Sequence, residues 1–223
     1  MSQDVAVVIG VGGMGQAIAR RIGPGTHLLL GDFNEETLDA VTRQLCDEGY
    51  EVTSAVVDVA SRESVHALAG RADSLGPVRR LLEEFGALVA PGGAAVVIAS
   101  LAAHGYPPIQ GSEAPQLSTA PAGELLSLPI TAPENFPAST HAHGFAKQAN
   151  LLRVQAASTP RGARGARVNT VSSGIIATPA DIAVATDFLL SPGAGFISGT
   201  DLPVDGGVTA ALRSGRLEHL GLA

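Results

Sequence analysis

The sequence predicts an α/β fold, a doubly wound parallel sheet flanked by helices, built as one domain over residues 1–223. Three observations carry this. Short β-branched runs alternate with helical patterns from the N-terminus onward. Hydrophobic residues make up 45% of the chain and charged residues only 16%, as strands buried on both faces require. The opening stretch "VAVVIGVGGMGQAIAR" sets a glycine-rich turn directly between a strand and a helix. A length of 223 residues suits one domain with a well-buried core.

Taken in order, Val5–Ile9 reads as the first strand, Gly13–Ile22 as the first helix and His27–Leu30 as the second strand. Asn34 can cap the next helix, where Leu38, Val41 and Leu45 recur at helical spacing. A third strand follows at Val52–Val57. Ser61 opens a helix to about Ser74, and "PVRRLLEEFGALVAPGG" reads as a second helix ending near Pro91, before a strand at Ala95–Ala99. Two successive helices over 61–90 break the alternation. Residues 105–138, rich in Pro, Ser and Gly around the apolar Leu125, Leu126 and Leu128, read as a surface insertion with one helical turn. Beyond it come a helix from about His143 to Ser158, a strand at Ala166–Val171, a helix at Asp181–Leu190 and a last strand at Asp201–Val204.

Composition excludes several classes. A net charge of −7 argues against a nucleic-acid surface, and the short cluster Arg161, Arg164 and Arg167 reads as a solvated helix end. Cys46 is the sole cysteine, so no intrachain disulfide can form. The start lacks the basic region of a signal peptide. The longest stretch free of charged side chains, Phe85 to Ser112, is broken by Pro91, Gly92 and Gly93 and cannot span a membrane as one helix. A soluble, cytoplasmic protein is expected.

In the opening turn, Gly10, Gly12 and Gly15 have the spacing of a dinucleotide fingerprint, with Gly13 and Met14 between them. The glycines let the backbone approach a pyrophosphate, and the helix N-terminus offers it unpaired N–H groups. A tight turn with no ligand is the plainer alternative. Asp32 ends the second strand about 20 residues on, where a carboxylate can accept hydrogen bonds from a ribose and repel a 2′-phosphate; NAD is therefore expected over NADP. It can also serve as a charge at the start of the next helix.

With these residues the chain resembles the short-chain dehydrogenase/reductase family over nearly its whole length. "GMGQAIA" is similar to that family's glycine-rich turn, and "VVDVASRESV" to its adenine-contacting element, which implies that role for Asp58 and Val59. "GGAAVVIAS" resembles the strand ending in the catalytic serine, here Ser100, and "FISGTDLPVDGG", 196–207, resembles the C-terminal signature. The family's Tyr-x-x-x-Lys pair aligns with "HGFAK". Lys147 is thus the implied ribose-binding lysine, and His143 stands where the tyrosine belongs, one helical turn away on the same face. The resemblance further implies nicotinamide contact by Thr178, a small alcohol or ketone substrate, hydride transfer with NAD, and a homodimer or homotetramer.

The departures from the pattern shape the functional expectation. Imidazole can carry a proton at neutral pH, yet it is shorter than a phenol, so turnover through His143 is expected to be slow. Of the two tyrosines, Tyr50 lies near the third strand, and Tyr106 follows Ser100 by six residues as a poor substitute acid. The passage from Gly76 and Pro77 straight into Val78, Arg79 and Arg80 implies that one central strand of the family sheet is missing. In "SSGIIATPADIA" the substrate-covering loop is also absent, with Thr178 and Pro179 leading directly into a helix. A working oxidoreductase and a catalytically inactive relative, binding nucleotide or a partner, both remain open. His104, His141 and His143 lack metal-ligand spacing, and no G-x-S-x-G surrounds Ser100, so neither a metal site nor a hydrolase is expected.

Overall fold

The computed structural model describes residues 3–82, 89–175 and 177–216. Seven parallel strands form one sheet: β1 (Val5–Ile9), β2 (His27–Asp32), β3 (Val52–Val56), β4 (Val78–Leu82), β5 (Ala94–Ser100), β6 (Arg167–Ser173) and β7 (Asp201–Val204). Their order is β3-β2-β1-β4-β5-β6-β7. The chain winds outward from β1 to β3, crosses back to β4 and winds the other way, leaving a crevice at the C-terminal ends of β1 and β4.

Alternation along the strands gives each face its own core. Ala6, Val8, Leu28, Leu30, Val96 and Val171 meet α1 (Gly13–Ile22), α2 (Glu35–Asp47) and α6 (Pro179–Leu190). Val5, Val7, Leu29, Val97 and Val168 point the other way, toward α3 (Arg62–Leu75) and α5 (Ser139–Gly162). Ile18 and Ile22 of α1 are fully buried, each contributing about 1.5–3 kcal/mol on transfer from water. Asn34 accepts from the Thr37 N–H and Ser61 from the Ser64 N–H, so both expected caps form.

The expected loss of a central strand is corrected by β4. It lies between β1 and β5 in mid-sheet, where a helix was expected; positions 83–88 of that expected helix lie outside the described residues. Val78, Leu81 and Leu82 do have helical spacing. Two flanking strands, however, offer hydrogen bonds on both sides of the segment, and non-local pairing overrides the local pattern. Pro77 O accepts from the Val5 N–H, fixing entry into the strand. A register shift between Val5 and Ala6 makes room for Arg79, whose guanidinium reaches Asp4 (3.4 Å) and the Pro91 carbonyl (2.6 Å).

The segment 105–138 is more ordered than a loop. It carries α4 (Glu113–Thr119) and three short 3-10 turns. Gln148 of α5 donates to the carbonyls of Tyr106 and Pro107 and accepts from the Ile109 N–H. Arg153 donates to the carbonyls of Leu117 and Ala120 at the end of α4. α5 itself begins at Ser139, before the expected start at His143.

After β7 a turn leads into α7 (Val208–Ser214), and Asp205 holds that turn by accepting from the Gly207 N–H (2.9 Å) and Thr209 N–H (2.7 Å). Burial alone would raise the Asp205 carboxyl, but the hydrogen bonds from Thr209 and Gly207 outweigh it and hold the group below the ordinary aspartate range. A lowered folded value means that stability is present above the unfolded value and is lost as pH falls through the folded one. The wild-type melting temperature should therefore drop as pH is taken from about 5 to about 2, and Asp205→Asn should melt lower at neutral pH with a shallower acid limb. Parallel acid limbs would remove Asp205 from that account.

Candidate active site

The crevice is lined first by the turn between β1 and α1. Gly10 takes φ +85° and donates its N–H to Gly31 O. Gly12 caps α1 with no side-chain hydrogen bond, which leaves first-turn N–H groups for an incoming acceptor. A Cβ on Gly15 would stand 1.8 Å from the Gly10 carbonyl oxygen, whereas one on Gly12 would meet nothing within 4 Å. The two glycines thus have separate reasons: Gly15 lets helix and strand close together, and Gly12 keeps the space above the turn clear.

Asp32 at the end of β2 faces this turn, accepting from the Val11 N–H (2.8 Å) and the Asn34 N–H (2.9 Å). Asp58, just past β3, accepts from the Ala60 N–H, and its own N–H donates to Ser64 Oγ. Val59 is 54% exposed and Phe33 73% exposed, so apolar groups stand in solvent beside the two carboxylates. No motif flags Phe33. Its signal is an aromatic residue directly after a strand-ending carboxylate.

At the other side of the crevice Ser100 ends β5, in register with Ser173 of β6, and its Oγ accepts from the Ala102 N–H (3.2 Å). Lys147 Nζ donates to Ile98 O (3.2 Å), bringing the α5 lysine onto the strand that carries Ser100. His143 lies one turn earlier on α5, exposed, with no hydrogen bond to Ser100 or Lys147. Tyr106 packs on the adjacent helix stripe, its ring centroid 5.0 Å from that of His141. It also occupies the place of a Gly144 side chain, as a Cβ there would lie 2.1 Å from its ring.

Two further groups frame the site. Thr178 starts α6 in a capping box with Asp181, and the hydrogen bonds from Thr178 hold the Asp181 carboxyl below its ordinary range. Pro179 approaches Gly13, so this helix start borders the glycine turn. On the far side, His104 is clamped between Asp201 Oδ2 (2.8 Å) and Arg213 (3.0 Å). Arg213 can only donate, so Nδ1 accepts and Nε2 gives its proton to Asp201. Thr170 and Ser172 donate to the same carboxylate, tying the turn after Ser100 to β6, β7 and α7. Among the described residues, no group of three His, Cys, Asp or Glu side chains is placed to hold a metal, and no helix is long and apolar enough to cross a membrane.

No family profile matches the sequence. A short-chain dehydrogenase/reductase of Alternaria brassicicola, bsc3, is 33% identical over 271 residues, taking in 95% of this chain and 98% of that protein. The chain belongs to the short-chain dehydrogenase/reductase family. Solved structures share the fold at lower identity. The citronellol catabolism dehydrogenase AtuB of Pseudomonas aeruginosa superposes with a TM-score of 0.71 at 20% identity, covering 93% of this chain and 95% of its own. An actinorhodin polyketide ketoreductase variant solved with NADPH gives 0.68 at 18% identity, covering 93% and 97%. In this short-chain dehydrogenase/reductase the fold and the family were both legible in the sequence, as a parallel Rossmann-type sheet with helices on each face.

Proposed function

We propose that the chain is an NAD-dependent alcohol or carbonyl oxidoreductase with slow turnover. The observation that carries this is the convergence at one sheet end of the glycine turn, Asp32, Ser100 and Lys147. The turn fits a dinucleotide: first-turn N–H groups lack a side-chain cap, and the space above Gly12 is open. Asp32 would accept from the adenosine ribose hydroxyls and disfavour a 2′-phosphate, while Phe33, Asp58 and Val59 would border the adenine. Lys147 would hold the second ribose, and Thr178 the carboxamide. When bound, the nicotinamide supplies a hydride acceptor or donor.

Within that frame Ser100 would position the substrate oxygen, and the His143 ring would take the hydroxyl proton as the carbon gives up its hydride, or return it in the reverse direction. The exposure of His143 and the lack of a hydrogen bond from it to Ser100 or Lys147 favour a second reading, a nucleotide-binding relative without turnover.

Restoring the phenol separates the two. His143→Tyr is expected to raise the rate over a panel of secondary alcohols by roughly 100-fold, the lower range of a positioned acid–base group. If NAD binds in calorimetry but neither form turns over, the second reading holds. If neither NAD nor NADP gives binding heat, the cofactor assignment fails.

A further inference from the structure

A cavity of about 380 Å³ opens away from the catalytic crevice, between α4, the C-terminal half of α5 and the strands β5 and β6. It reaches Arg161, fourteen residues past Lys147, or roughly 21 Å along the helix at 1.5 Å per residue. Val97 and Val168 form its floor and Val154 one wall, all of them core residues of this sheet face. The volume falls within the range of about 300–1,000 Å³ typical of small-molecule sites.

The charge of the lining is one-sided, beside the neutral Ser118, Thr119 and Asn150. Arg153 and Arg161 both face the cavity, and no Asp or Glu lines it among the described residues. Among the described residues neither guanidinium has a carboxylate partner. Arg161 donates from Nη1 to Ala157 O on its own helix, while its Nε is buried without a partner among the described residues. Burial and the charge of Arg164 push this guanidinium below its ordinary value. A buried donor on a charged group, set over an apolar floor, is the arrangement that an anionic acceptor completes. The net charge of −7 gives no general attraction for anions, so the preference is local to these two side chains.

We propose that this cavity is a second ligand site, binding an amphipathic carboxylate with its head group on Arg161 and Arg153 and its hydrocarbon chain along the valine floor. The site does not depend on the nicotinamide reading.

Octanoate titrated into the full chain by calorimetry, with octylamine as the oppositely charged control, tests it. Octanoate should saturate one site while octylamine gives no saturable heat. Arg161→Gln should weaken octanoate at least ~10-fold, the loss of a charge-assisted hydrogen bond. Ala157→Phe, which fills the cavity from α5, should abolish binding and keeps the test decisive if Arg161→Gln fails to fold. Absence of saturable octanoate heat would overturn the proposal, as would undiminished affinity in folded variants or equal binding of octylamine. Competition with NAD would also overturn it, by placing octanoate in the crevice. Should NAD itself not bind, the remaining arms decide the question alone.

Discussion

Gly15→Ala is expected to cost at least about 3 kcal/mol of stability and to weaken NAD binding by about 100-fold or more. The added methyl would sit 1.8 Å from the Gly10 oxygen and 2.9 Å from its carbonyl carbon. Both are backbone atoms, so no rotamer change relieves the clash. Either α1 lifts from β1, opening the contact of Ile18 and Ile22 with the sheet, or the Gly10–Val11 peptide turns and gives up the hydrogen bond from the Val11 N–H to Asp32. Gly12→Ala supplies the contrast. Gly12 has φ −66° and open space around its Cα, so alanine should leave stability within about 0.5 kcal/mol while its methyl intrudes on the pyrophosphate position. Thermal melts and calorimetric NAD titrations of both variants check the pair. A Gly15→Ala protein that melts like the wild type would contradict the packing argument. Unchanged NAD affinity in Gly12→Ala would contradict the binding one.

The parts of the molecule legible in the sequence are those whose causes are local. β1, the glycine turn and α1 span 18 consecutive residues, 5–22, and their boundaries follow from alternation, turn chemistry and helical periodicity in one stretch. The caps at Asn34 and Ser61 are likewise read within four residues. β4 is the opposite case, because its conformation is set by β1, which is far earlier in the chain, and by β5, which follows it. α7 escaped notice for a related reason: its start is held by Asp205 across a Gly206–Gly207 turn, with no apolar period long enough to announce a helix.

The candidate site divides in the same way. Ser100, Lys147 and the glycine turn occupy motif positions, and the structure sets them around one crevice. What no motif conveys is the relation between side chains on different elements. Tyr106 is near Ser100 in sequence, yet Gly144 lets its ring pack against α5 on the stripe beside His143. The His104–Asp201 clamp joins residues 97 positions apart and appears only once β5 and β7 flank β6.

Arg167→Met is expected to destabilise the protein by roughly 3–5 kcal/mol without weakening the nucleotide site. The sequence suggests a solvated arginine in a basic cluster, but this side chain is only 9% exposed. From the start of β6 its Nη1 donates to Leu189 O (2.8 Å) and Ala194 O (2.9 Å), and Nη2 to Ser191 O (3.0 Å). These carbonyls close the C-terminal end of α6 and the turn after it, where the helix dipole compensates a positive charge that has no carboxylate partner among the described residues. Burial pushes the guanidinium below its ordinary value, but arginine remains charged. Methionine keeps much of the apolar stem but removes three charge-assisted hydrogen bonds, leaving Ala194 O and Ser191 O only the N–H groups of Ile197 and Ala194; such bonds are worth about 1.5–3 kcal/mol each, with the sum less than additive. At about 2–4 °C per kcal/mol for a chain of this size, the melting temperature should fall by roughly 6–20 °C. Arg167→Lys should be intermediate, since an ammonium keeps the charge but cannot fork across three carbonyls. Arg167 lies at the N-terminal end of its strand, opposite the crevice, so NAD affinity of folded Arg167→Met should match the wild type. A variant within about 1 kcal/mol of the wild type would show that water replaces the guanidinium at these carbonyls at little cost.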